Sequence, residues 1–127
     1  MKIASLAVAC KKLGYNIKTC LPDVSKMPKH LQKHTLARAT LEIITEASWD
    51  GVELDYNNNN QRKYYGWFWL DNPGFRLYGV TCAIAYSLSS GGPRLCYLSR
   101  EEAEWHIKKH FALYKAAIVI PKKPKKK

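Results

Sequence analysis

The sequence predicts an α+β domain in which two helices are followed by a three-stranded antiparallel meander and a closing helix, the order ααβββα. Three observations predict it. Apolar residues recur at helical spacing near both ends of the chain. Three strand-like runs lie between residues 63 and 98, separated by the turn-forming breaks "DNPG" and "SSGGP". The stretch "SREE" has the form of a capping box at the start of the last helix. At 127 residues the chain fits one domain with a real core, and 46% hydrophobic with 24% charged residues is an ordinary globular balance.

Ile3, Leu6, Ala7, Cys10 and Leu13 follow helical spacing, and Gly14 stands where a left-handed helix stop belongs. "NIKTCLPDVSKMP" carries two prolines and polar turn formers and reads as a loop. Asp23 or Ser25 is placed to cap a second helix over about residues 28 to 47, with Leu36, Thr40, Ile43, Ile44 and Ala47 on its buried face. "SWDGVELDYNNNNQRK" is a turn-rich connector. The strands are expected at 63 to 70, 75 to about 88 and 94 to 98. Ala103, Ile107, Phe111, Tyr114 and Ile118 then make the stripe by which a single closing helix covers one sheet face. The domain is expected to span residues 1 to 120, with a flexible lysine-rich tail at 121 to 127.

"ACKKLG", "LPDVSKMP", "QKHTLARATLEIITEA", "DYNNNNQRKYYGWFWL", "PGFRLY" and "GPRLCYLSREEAEWHIKKHFALYK" resemble, in that order, a group of small uncharacterised proteins encoded by bacteriophages and mobile elements of Bacteroides-like gut bacteria. The similarity runs from about residue 4 to residue 118. Its sharpest parts are "KYYGWF" and "RLCYLSREEAE", which in relatives look like K-Y-x-P-W-F and R-L-C-F-x-S-R-E-x-A-E. The group carries no established activity, so the resemblance implies an origin and an organisation rather than a chemistry. Gly66, His106 and His110 depart from its pattern.

The net charge of +11 and pI near 9.6 favour encounter with polyanions or acidic surfaces. Five of those charges sit in "PKKPKKK", leaving 11 − 5 = +6 on the body. Along the second helix, Lys29, Lys33 and Arg38, with Lys26 just before it, crowd the N-terminal half, while Glu42 and Glu46 come later, opposite to what the helix dipole favours. Phosphates lying against that helix start would offset the repulsion. Lys122, Lys123 and Lys125 in the tail add salt-sensitive affinity of the polyelectrolyte kind.

The block "KYYGWFWL" is aromatic on both faces: alternation puts Tyr65, Trp67 and Trp69 on one side and Tyr64, Gly66, Phe68 and Leu70 on the other. With three helices to cover three strands, most rings are expected in the core. The alternative leaves one face as a stacking or docking platform rimmed by Arg62, Lys63 and Arg76.

His30/His34 and His106/His110 are i, i+4 pairs able to share a helical face, yet no C-x₂-C accompanies them, and no metal or other cofactor is expected. Cys10, Cys20, Cys82 and Cys96 lack paired short spacings and read as buried free thiols suited to a reducing compartment. Asp50, Glu53 and Asp55 read as turn formers. No nucleophile motif or phosphate loop is present, so no enzyme is expected. The opening "MKIASLAVAC" imitates a lipoprotein signal only faintly, and no run approaches the roughly 18 apolar residues of a membrane span.

The function expected from these residues is non-enzymatic association with nucleic acid, DNA or RNA, through the basic helix and tail. The competing expectation is a protein-interaction module, a virion component or an inhibitor of a host defence enzyme. A carbohydrate-binding reading of the rings is disfavoured by the basic balance. Either main function places the protein in the bacterial host cytoplasm or the virion, and oligomeric state stays open.

Overall fold

The computed structural model describes residues 1–55, 60–71, 74–83 and 95–119; the side chains of Trp69, Asp71 and Ala83 lie outside this description. The described elements are α1 (Leu6–Leu13), α2 (Lys29–Ser48), β1 (Lys63–Asp71), β2 (Gly74–Ala83), α3 (Arg100–Lys109) and α4 (Phe111–Ile118). The fold is α+β, but the expected order ααβββα is corrected: among the described residues the order is ααββαα, four helices and a two-stranded antiparallel sheet.

Among the described residues, the expected third strand is a single bridge. Tyr97 exchanges backbone hydrogen bonds with Tyr64 at 2.8 and 2.7 Å and, among the described residues, pairs no further. The neighbouring carbonyl of Cys96, which this pairing turns away from β1, accepts from the indole Nε1–H of Trp49 at 2.8 Å, so a side chain satisfies the far edge of the segment. Leu95, Cys96 and Tyr97 are all buried in succession, which is not the alternation of a half-covered strand, and Ser99 caps α3 two residues later. The far end of the expected second strand and the "SSGGP" break lie outside the described residues.

The closing helix is also corrected, because it is two helices that meet at His110, where φ is −108° and ψ is 31°. The break lets Phe111 reach Phe75, with ring centroids 5.1 Å apart, while Tyr114 stays stacked on Phe68 at 5.6 Å. The start of α3 follows the expected box: the Ser99 hydroxyl accepts from the Glu102 N–H at 3.1 Å, and Glu101 and Glu102 occupy the first turn.

α1 ends as its sequence requires, on Gly14 at φ 77°, and starts on Ser5, whose hydroxyl accepts from the Val8 N–H. α2 does not start as expected. Its N-cap is Pro28, with no side-chain hydrogen bond, because the Asp23 carboxylate accepts from the Ser25 N–H in a local turn five residues earlier. Its buried face is also rotated: Ala37, Leu41, Ile44, Thr45, Ala47 and Ser48 are sealed, whereas Leu36, Thr40 and Ile43 are only half-buried. α2 packs on both α1 and α4, so its covered surface is set by two neighbours rather than one.

Ala37, Leu41, Leu95, Ile107, Tyr114 and Ala117 form the main core, against which Phe68, Phe75, Leu77 and Val80 pack from the hairpin. Gly66 is the point of closest approach. A Cβ there would meet Ile107 Cδ1 at 2.7 Å and the Phe68 ring at 3.0 Å. Gly66→Ala is therefore expected to cost about 1–3 kcal/mol through overpacking, read from a urea unfolding curve. Gly79→Ala is the control, because nothing lies within 4 Å of its Cβ position.

Candidate nucleic-acid interface

The hairpin register sorts the aromatic block. Lys63 to Trp67 pair in step with Ala83 to Gly79, then the register shifts so that Phe68 faces Leu77, leaving Tyr78 as the extra residue of a bulge. Phe68 turns inward to the core. Trp67 faces away and is 57% exposed; its cross-strand partner is Gly79, which has no side chain to cover the indole. Tyr78 is 69% exposed. Tyr65 is half-buried, its ring 6.2 Å from that of Trp67 and tilted by 46°. Arg76 is exposed opposite Trp69 in the ladder. The expectation that most rings are core therefore holds for Phe68 on the inner face and fails for Trp67 on the outer one.

Tyr78 is a residue that sequence reasoning missed. Alternation from Arg76 through "RLY" puts it on the Arg76 face, a signal that was present; the bulge that pairs Trp67 with glycine was not readable. Lys63 does not join the rim. It is 1% exposed, and its ammonium donates to the carbonyls of Asp55 at 2.9 Å and Gln61 at 2.8 Å, stapling the connector to the start of β1. Arg62 is exposed beside it.

The basic helix start is a second surface. Lys26, Lys29 and Lys33 are exposed, and Lys29 and Lys33 share a helical face. Arg38 does not share it: nine residues beyond Lys29 is about 180° around the helix, and its Nε lies 3.8 Å from Glu42 Oε1. The His34 Nδ1–H donates to the Ala116 carbonyl at 3.1 Å, which sets the C-terminal end of α4 against the first turns of α2. The end of α4 thus lies at the end of the molecule that carries Lys26, Lys29 and Lys33. Lys122, Lys123 and Lys125 themselves lie outside the described residues. The apolar core lies between α2 and the hairpin, so the helix start and the aromatic face are two patches, not one.

A cavity of about 1190 Å³ opens between the loop after α1, the middle of α2 and the turn after it. Glu42, Glu46 and Glu53 line it, with no lysine, arginine or histidine among its lining, which is the wrong sign for a polyanion. The Tyr15 hydroxyl donates to Glu46, and that bond with burial holds the phenol above its ordinary range. Near it, Asp50 is held through its carboxylate and Asp55 through its main chain. Asp50 accepts from Lys12 at 2.5 Å, which pulls its carboxyl below the usual range, and Asp55 makes backbone bonds to Gln61 and Lys63.

The second histidine pair is structural. Glu102 O can only accept, so His106 Nδ1 carries the proton at 2.7 Å; the Ile3 N–H can only donate, so Nε2 accepts at 3.0 Å. His110 Nε2–H donates to the Ile3 carbonyl at 2.8 Å. Two imidazoles clamp both polar groups of one peptide residue, and Ile3 is fully buried as a result. Among the described residues no group of three or more His, Cys, Asp or Glu is placed to hold a metal ion, and no helix is long and apolar enough to cross a membrane.

No protein-family model, curated protein or solved structure matches this chain.

Proposed function

We propose that this is a phage- or mobile-element-encoded protein that associates with nucleic acid without catalysing a reaction, stacking unpaired bases on the outer face of its hairpin and holding phosphates with Arg76, Arg62 and the basic α2 start and tail. The observation that carries the reading is Trp67: a tryptophan 57% exposed on a sheet, beside exposed Tyr78 and Arg76, in a chain of net charge +11. Exposed rings beside arginine offer every base a π-face, and the surrounding charge supplies attraction independent of sequence.

The test is anisotropy of a labelled single-stranded oligonucleotide over a salt series. Binding at low salt is expected to fall linearly with log salt. Removing residues 121–127, which hold five lysines, is expected to lower that slope by up to about 3–4, at roughly 0.7 per phosphate contact. Trp67→Ala is expected to weaken binding about 5- to 150-fold, the value of one stacked base. No binding at low salt would sink the reading. The interaction-module alternative then gains, since Leu70, 59% exposed near the hairpin tip, adds apolar surface suited to a protein partner.

A further inference from the structure

The loop after α1 brings together two thiols that the sequence separates by ten residues. Gly14 ends the helix in the left-handed region, the Asn16 side chain accepts from the Lys18 N–H at 2.9 Å, and the N–H groups of Thr19 and Cys20 both donate to the Asn16 carbonyl. This compact turn folds Cys20 back onto α1, where its Sγ lies 3.4 Å from Sγ of Cys10. Both are free thiols, and Cys20 is the more accessible, with Cys10 only 2% exposed.

We propose that Cys10 and Cys20 are a covalent modification site, closing to a reversible intramolecular disulfide by exchange with a low-molecular-weight disulfide such as oxidised glutathione. In the first step the Cys20 thiolate attacks one sulfur of the oxidant, forming a mixed disulfide at Cys20 and releasing one reduced thiol. In the second the Cys10 thiolate attacks the Cys20 sulfur, forming the Cys10–Cys20 bond and releasing the second reduced thiol. The two cysteines lose two electrons and two protons, and the two departing thiols carry them.

The geometry sets the order. Burial, the hydrogen bond to Cys20 and its charge together hold the Cys10 thiol above the ordinary range, so Cys10 is a poor first nucleophile. Capping Cys20 removes the second and third of those causes, and proximity then favours the intramolecular step. Cys96 does not compete, because it is fully buried and its thiol is pushed up to about 12 by burial. Cys20 also lines the acidic cavity with Tyr15 and Thr19, so the bond would fix that wall to α1.

The full chain is incubated with oxidised glutathione, quenched with acid and mapped by intact mass and peptide analysis. Wild type is expected to lose two hydrogens and yield a Cys10–Cys20 linked peptide. Cys10→Ser, and Cys10→Ala as a second variant, are expected to stop at a persistent glutathione adduct on Cys20, while Cys20→Ser forms neither product at a comparable rate. Closure of the mixed disulfide is expected at least tenfold faster in the native chain than in urea. The proposal is overturned if wild type accumulates the adduct as Cys10→Ser does, if linkage runs mainly through Cys82 or Cys96, or if unfolding leaves the closure rate unchanged.

Discussion

Tyr114→Ala is expected to destabilise the fold by roughly 3–5 kcal/mol, the usual cost of emptying a large aromatic site, which is a large part of the ~5–15 kcal/mol that holds a domain together. Tyr114 is 2% exposed and joins the elements that define the core. Its ring stacks on Phe68 of β1, and its hydroxyl lies 2.7 Å from that of Tyr97, the residue that makes the lone bridge to Tyr64. Among the described residues the Tyr97 hydroxyl has one other partner nearby, Thr45 of α2 at 3.4 Å, and the Thr45 proton is already given to the Leu41 carbonyl at 2.6 Å. Tyr114→Phe therefore removes the better partner and keeps the ring, with an expected cost of about 1–3 kcal/mol for a buried hydroxyl left poorly paired. Urea unfolding of the two variants separates ring from hydroxyl. Equal losses would contradict the account, since they would mean that the ring's packing adds nothing.

Acid is expected to weaken the protein through His106. Burial holds its folded pKa down to about 4, below the ordinary histidine value of 6.5. Between those values the unfolded chain binds the proton more readily than the folded one. Stability from this residue is thus fully present above about pH 6.5 and drains away as pH falls toward 4, a loss of about 3 kcal/mol, because each tenfold difference in proton affinity between the two states is worth about 1.36 kcal/mol. Geometry acts in the same direction as burial: protonating Nε2 sets a second donor against the Ile3 N–H 3.0 Å away. Around the ring lie the Glu102 carbonyl and carboxylate, His110, the amino terminus, the edge-on ring of Trp105, and the stacked ring of Tyr97, whose hydroxyl burial pushes up to about 12. His106→Gln retains an oxygen that can accept from Ile3, and it is expected to flatten the slope of stability between pH 6.5 and 4. A wild-type profile flat across that interval would rule out the neutral clamp.

Both outcomes bear on the nucleic-acid reading only indirectly, since neither Tyr114 nor His106 reaches the outer face of the hairpin. They test the support beneath it. Phe68 and Gly66 hold the inner face against Tyr114 and Ile107, and that packing leaves Trp67, on the alternate side of the same strand, facing outward.

Local chemistry was enough for several parts of this molecule. Gly14 ends α1, Ser99 starts α3, and the two-faced alternation of "KYYGWFWL" survives in β1, because a cap, a left-handed glycine and a strand's period depend on residues close in sequence. The crowd of lysines at the head of α2 was equally plain. What long-range contacts alone decided is different in kind. The Tyr97 segment meets β1 at one bridge among the described residues while Trp49 holds its Cys96 carbonyl; a bulge at Tyr78 leaves Trp67 facing glycine; Lys63 is drawn inside by two carbonyls. His106 and His110 become a clamp on Ile3, more than a hundred residues away in the chain, and Cys20 comes to rest on Cys10. Each of these turns on which polar group or ring arrives first at a buried atom, and spacing along a chain carries no record of that.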